Sequence, residues 1–517
     1  MPDEGSTSSS MDRRRLLALL GGGALASCSS SSRLLTSTTS TAATTTTTSR
    51  TTTSAASSSA APGSSVGGGG TSSTDHPTAT QAPAPTSGST GPASSVVAGT
   101  RFPVRVEAGK RYLVDASGAP FLIQGDAAWS LIVQLRDDDV DRYLADRKSK
   151  GFNTLIVQLI EHKFSSNAPA DIDGTAPFLS PGDYSQPNPA YFDRAEHVLR
   201  RARALDFLVL LTPTWTGYDG GDEGWYAEMK SAGASTLREY GRFLGERFTS
   251  FDNIVWVEAG DFDPPDKALV RAVAEGIHAS DPSALHTAHC APETPALSYW
   301  SGESWLSIDN IYTYKSVADV ALAEYARPEG MPFFLIESTY ENEHGASPTL
   351  VRTQAYQALL CGACGQIFGN NPIWHFDAPG LFDVAMSWQE ALGLVGSVDM
   401  AHLKSLFDTL RWWELVPDTS GALLTGGRGK GNDRAVAAAT ADGASAVVYL
   451  PSKRTVTLAL SRLHGTAVMA RWFDPTKGSF TDADGAPWPI EATRKVAPPG
   501  DNGDGEGDWV LVLDATS

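Results

Sequence analysis

The feature that most constrains this chain is an alternation that runs from about residue 101 to residue 417. Short apolar runs rich in β-formers trade places with longer stretches of helical spacing. Eight such runs follow in order, at residues 121–126, 154–160, 207–213, 253–261, 285–289, 308–314, 333–337 and 365–370. Stretches such as 138–150, 189–204, 235–248 and 266–279 carry the helical spacing between them. Parallel neighbours need a long crossover, and a helix is the usual one, so the alternation predicts a parallel sheet. Eight units in this length predict a (β/α)8 TIM barrel over residues 97–417. An open doubly wound sheet is the alternative; no GxGxxG follows any of the runs, which counts against its dinucleotide-binding form.

After Pro417 the texture changes. Runs at 435–439, 444–450, 455–460, 467–472 and 509–513 are separated by Gly, Asp and Pro, with no helical period between them. This predicts a small antiparallel β-sandwich over residues 418–517.

The other end of the chain reads as an export signal. Arg13, Arg14 and Arg15 precede a short apolar run that closes on Leu25-Ala26-Ser27-Cys28, which resembles the lipobox of bacterial lipoproteins. The expectation is a signal over residues 1–28, with lipid on Cys28 and the protein held at the cell surface. Sec and twin-arginine export both remain open. Residues 29–96 are almost entirely Ser, Thr, Ala, Gly and Pro, a composition that predicts a disordered linker.

Charge narrows the partners. With 59 acidic against 40 basic residues the formal net charge is −19, which argues against a surface for nucleic acid or anionic lipid. Membrane contact is expected only through the anchor. Apart from Cys28 there are three cysteines; Cys361 and Cys364 form a CxxC at an apolar helix end and read as small core residues. No HExxH, paired CxxC or acidic calcium loop occurs, so neither metal nor cofactor is expected.

In a barrel of this kind, reactive groups gather at the C-terminal ends of the strands. Runs four and seven end in acids, Asp261 and Glu337, on opposite sides of the mouth. Glycosidic cleavage needs such a pair: one acid protonates the leaving oxygen while the other attacks or activates water. Glu258 rivals Asp261 on the same run, with the opposite strand parity. Gly260 is expected to let a sugar approach the backbone closely. Asp126, Gln158 and His289 are expected to hydrogen-bond sugar hydroxyls. Tyr314, with Tyr312 as rival, is expected to orient Glu337, and Trp129, Trp215 and Trp374 to form stacking walls. Each of these seven supporting residues is equally compatible with packing under the barrel rim. Glu341 and Glu343 read as loop residues or substrate contacts.

Several stretches together resemble the apiosidase-like family, glycoside hydrolase family 140. They are Gly125-Asp126-Ala-Ala-Trp129, Ala259-Gly260-Asp261, Glu337-Ser-Thr-Tyr340-Glu341, Gly369-Asn-Asn-Pro-Ile-Trp374 and Trp412-Trp413-Glu-Leu-Val-Pro417. The resemblance extends to a final domain of the type named for collagen binding in a collagenase. It implies a retaining hydrolase of a furanoside in a cell-wall polysaccharide, with apiose in pectin as the family's own substrate. It also implies Asp261 as acid/base and Glu337 as nucleophile. Glu258-Ala259 stand where the family has smaller residues, which leaves arabinofuranosides and galactofuranosides open. The alternative function is a non-catalytic carbohydrate-binding surface protein. A peptidase would need a metal motif or a GxSxG elbow, and neither is present.

Overall fold

The computed structural model describes residues 101–516. The expectations for the signal, Cys28 and the linker lie outside those residues. No helix among the described residues is long and apolar enough to cross a membrane.

Eight parallel strands form the barrel: β1 (Ile123–Ala127), β2 (Thr154–Gln158), β3 (Leu208–Thr212), β4 (Ile254–Ala259), β5 (Leu285–His289), β6 (Asp309–Tyr312), β7 (Phe333–Glu337) and β8 (Gly365–Phe368). Their order is β5-β4-β3-β2-β1-β8-β7-β6, and a parallel bridge between His286 and Leu306 draws the two ends together. These strands read as unbroken apolar runs because both of their faces are covered. Side chains alternate, so Ile156, Leu210, Val257 and Ile336 fill the interior. Val157, Leu211, Trp256 and Leu335 point outward beneath the helices.

The longer helices around the barrel are α1 (Asp137–Ser149), α2 (Pro189–Ala204), α3 (Tyr226–Phe248), α4 (Lys267–Ser280), α5 (Val317–Tyr325), α6 (Pro348–Leu360) and α7 (Val395–Phe407). Two of them begin as their sequences dictate. Asn188 caps α2 and Ser347 caps α6, each with proline at the first helical positions. The helix expected from residue 235 starts earlier, at Tyr226, and is broken at Gly233, whose φ is 74°.

Residues 415–516 form the C-terminal β-structure, a seven-stranded sheet packed against a three-stranded one. The strand Leu415–Pro417 pairs with Val436–Thr440 and opens the larger sheet. One face of that sheet packs inward through Val448, Val468, Leu511 and Leu513. The other face, with Val447, Tyr449, Phe473 and Val512, joins the core outside the barrel strands. At this junction Arg352 of α6 is fully buried. It donates to Asp399 of α7 at 2.7 Å and to both oxygens of Asp508 at 2.7 and 2.9 Å.

Candidate active site

The cavity at the C-terminal mouth of the barrel is lined by six of the nine residues singled out for catalysis or substrate contact: Asp261, Glu337, Trp129, Gln158, Trp215 and Trp374. His289 and Tyr314 stand just behind, holding Glu337. Asp126 does not reach the mouth.

Strand parity explains that exception. On β1, Ile123 and Ala127 point into the barrel, so Asp126 points out. There it accepts hydrogen bonds from Tyr143 at 2.6 Å and from Arg147 Nε at 2.5 Å, both on α1. Asp126 anchors a helix and is not placed to bind a sugar. The same rule separates the two acids of the fourth run. Val255 and Val257 face inward, which turns Glu258 outward onto His286, 2.9 Å away.

Asp261 reaches the mouth because the chain leaves β4 through two left-handed residues, Ala259 (φ 61°) and Asp261 itself (φ 53°). Such conformations cost about 1–3 kcal/mol each and need support. The support is visible: the Gly260 carbonyl accepts from Thr216 at 2.7 Å, and the Asp261 amide donates to His289 Nδ1 at 2.9 Å. Gly260 serves a different purpose from the one expected. A Cβ there would fall 1.8 Å from Trp215 Cδ1, so the space above the glycine belongs to an indole, not to substrate.

Glu337 is re-aimed by a bulge. By simple alternation it would share the outward face of Leu335, but the pairing with β6 slips between Leu335 and Glu337. The carboxylate then accepts from Tyr314 at 3.0 Å on one oxygen and faces His289 Nε2 at 3.1 Å on the other. Because His289 Nδ1 is already an acceptor, its proton sits on Nε2 and is donated to Glu337. Tyr312, the rival of Tyr314, lies one step back, 2.9 Å from the Tyr314 hydroxyl.

A carboxylate oxygen of Asp261, a ring nitrogen of His289 and a carboxylate oxygen of Glu337 all lie within 4.8 Å of one another. Such a trio has the ligand types of a cation site. Both nitrogens of His289 are engaged in hydrogen bonds, however, which leaves it no lone pair to offer a metal as the ring stands.

The walls are aromatic. Trp129 donates to the Tyr340 hydroxyl at 3.0 Å, and Trp374 donates to Glu343 at 3.0 Å. Burial first, and then the charge of Glu337, hold the Tyr340 phenol well above its usual range, so it stays protonated. Gly369 makes room for that ring, since a Cβ would lie 2.1 Å from it. The side-chain oxygen of Gln158 is buried and takes no hydrogen bond from the described protein, as suits a group that meets a hydroxyl.

Sequence reasoning gave no site role to Tyr340, Phe164, Leu381 or Phe382, which also line the cavity. Tyr340 lay within a quoted motif, whereas the other three come from loops that carry no strand-end signal. Of the two acids beyond β7, Glu343 faces the cavity. Glu341 turns into the body, accepting from Asn370 at 2.7 Å and from the Gly396 amide at 2.8 Å. Cys361 and Cys364 are buried and unbridged, and burial pushes both thiols up to about 12, consistent with core residues.

A parallel eight-stranded barrel with two acids at its mouth between aromatic walls is the architecture of a glycoside hydrolase. Residues 107–414 match the family described as "Apiosidase-like, catalytic domain", more than half of the sequence, and the chain belongs to that family. Residues 416–514 match the "Putative collagen-binding domain of a collagenase". Among solved structures, the chain is similar to a glycoside hydrolase family 5 protein from Bacteroides vulgatus. Identity is 22%, coverage is 80% of this chain and 94% of that one, and the TM-score is 0.71. A second structure, a glycoside hydrolase, gives 22% identity, 80% and 97% coverage and a TM-score of 0.71. At this identity the likeness speaks for the fold. No curated protein matches the chain.

Proposed function

We propose that this glycosidase works with retention of configuration on a furanoside of a cell-wall polysaccharide, with Glu337 as nucleophile and Asp261 as acid/base. The observation that carries the reading is the closeness of the two carboxylates, whose oxygens approach within 4.8 Å. Retaining sites hold their carboxyl groups about 5–5.5 Å apart, and inverting sites leave about 6.5–9.5 Å for a water. The family match supports the furanoside.

In this reading a Glu337 oxygen attacks the anomeric carbon while Asp261 gives its proton to the departing glycosidic oxygen. The carbon–oxygen bond breaks and a glycosyl ester forms on Glu337. Asp261, now a carboxylate, takes a proton from water, which attacks the same carbon and restores Glu337. Tyr314 and His289 fix both oxygens of the nucleophile, and Gln158 and Glu343 meet sugar hydroxyls between the three indoles. Proton NMR of the first product formed from an aryl furanoside tests the proposal. The starting anomer is expected, and the opposite anomer overturns it.

We further propose that export ends with lipid on Cys28, supported by Leu25-Ala26-Ser27-Cys28. Cys28→Ala should shift the protein from the membrane fraction to the medium or leave it unprocessed. Identical fractionation of variant and parent would show the anchor lies elsewhere.

A further inference from the structure

We propose a second carbohydrate-binding site on the underside of the barrel, built around Trp413, that holds a glycan chain while the mouth acts on it. A cleft of about 360 Å³ opens there, between the turn at residues 109–112, the end of α6 and the junction strand Leu415–Pro417. It lies at the N-terminal end of β8, opposite the mouth. Its volume falls in the range of small-ligand sites, about 300–1,000 Å³.

The aromatic residues give the cleft its chemistry. Trp412 packs on the core and meets Tyr112 edge-on, with ring centres 5.9 Å apart. Trp413 belongs to no core cluster; it stands at 90° to Trp412 and is half-buried at the cleft wall. No group among the described residues accepts a hydrogen bond from either indole N–H or from the Tyr112 hydroxyl. A ring that contributes little to packing and carries an unused donor suits a sugar, whose C–H face is apolar and whose edge is hydroxylated. Two charges complete the edge. Arg411 holds the Glu414 carboxylate at 2.6 Å, and the Lys110 ammonium lies 5.6 Å above the Tyr112 ring.

The shape favours a chain over a single sugar. Val416, 44% exposed, lines both this cleft and a hollow of about 480 Å³ on the C-terminal sheet. The two meet at Val416, and a chain lying along this track would cross the strand Leu415–Pro417.

The test uses the full chain carrying Glu337→Ala, which removes hydrolysis, in affinity electrophoresis through gels containing soluble arabinan, galactan or xylan. At least one polymer should retard it. Adding Trp413→Ala should weaken that retention about tenfold, the loss of one stacking contact. Val416→Arg, an exposed change that blocks the track, should weaken it as well. In the chain with Glu337 intact, Trp413→Ala should raise KM for the retained polymer and leave an aryl furanoside unaffected. No retention by any polymer, or equal retention by both variants, overturns the site. So does a loss of thermal stability in Trp413→Ala with retention unchanged, because the indole would then be structural. Retention without hydrolysis of any furanoside by the parent would sink the reading of the mouth and leave this one standing.

Discussion

Two buried clusters of acids in this molecule are built in opposite ways. At the junction with the C-terminal sheets, Asp399 and Asp508 close on one guanidinium, Arg352. At the mouth, Asp261, Glu337 and Glu343 line a cavity whose wall, among the described residues, includes no lysine or arginine. The donors to Glu337 and Glu343 include an imidazole, a phenol and an indole. Acids closed on a buried cation serve to hold parts together. Buried charge is costly, and acids gathered around a cavity persist where a site needs a nucleophile and a proton donor. The difference teaches that a carboxylate's role is read from what faces it, not from its burial.

The sharpest break of this comparison lies at the two catalytic candidates. Glu337→Ala should reduce turnover of every substrate to background. Asp261→Ala should cost about 10²–10⁴-fold on natural glycans yet keep appreciable cleavage of an activated aryl glycoside, with azide intercepting the intermediate. If Glu258→Ala shows that leaving-group pattern and Asp261→Ala does not, the acid/base sits on the outward face of β4. The assignment of the mouth would then be wrong.

Arg352→Met probes the opposite cluster. It leaves two acids buried without a cation, and the expected cost is about 3–5 kcal/mol in urea unfolding. Burial already lifts Asp399 to about 7 against the pull of Arg352. Hydrolysis by the folded fraction at low temperature should be unchanged, and a large drop in kcat there would show the two clusters are coupled.

Glu161 sets a limit on the rule. It is a fully buried acid without a cation, and it accepts from the amides of His162, Lys163 and Phe164, each at 2.9 Å. Burial raises it from 4.5 to about 7 even so. The folded state therefore binds this proton more tightly than the unfolded chain. The stability gained is complete below about pH 4.5 and is lost as pH rises through about 7. Across about 2.5 pH units, at about 1.36 kcal/mol each, the loss is about 3 kcal/mol. Glu161→Gln should flatten stability over that window with hydrolysis intact. A variant as pH-dependent as the parent would show that other groups govern it.

Tyr314→Phe should have a smaller effect. It removes the hydrogen bond that Tyr314 gives Glu337, worth about 1.5–3 kcal/mol to a charged group, or about 10- to 100-fold in kcat with KM little changed. An unchanged kcat would show that Tyr314 does not position Glu337.

Much of the site was legible because strand ends are legible. Asp261, Glu337, Gln158 and the three tryptophans were found from their places beside the apolar runs, and all six face one cavity. Asp126 was misplaced although the same parity that turned Glu258 away applies to it. Its neighbours Ile123 and Ala127 look like any buried strand residues until the barrel axis is known. Gly260 was read as room for substrate, yet what fills that room is Trp215, a residue far away in sequence. Phe164, Leu381 and Phe382 could not have been found, because loops follow no period.

The sequence by itself determined the barrel, the all-β character of the C-terminal part and the presence of acids at the ends of the fourth and seventh runs. Those follow from local spacing, since the periods of helix and strand are written residue by residue. Only the tertiary structure decided which acids meet. Alternation assigns a side chain to a face while the strand stays regular, and at both strand ends it does not. A slipped register on β7 and two left-handed residues after β4 turn Glu337 and Asp261 inward. Those departures are held by Tyr314, His289 and Thr216, partners that only the closed barrel brings within reach.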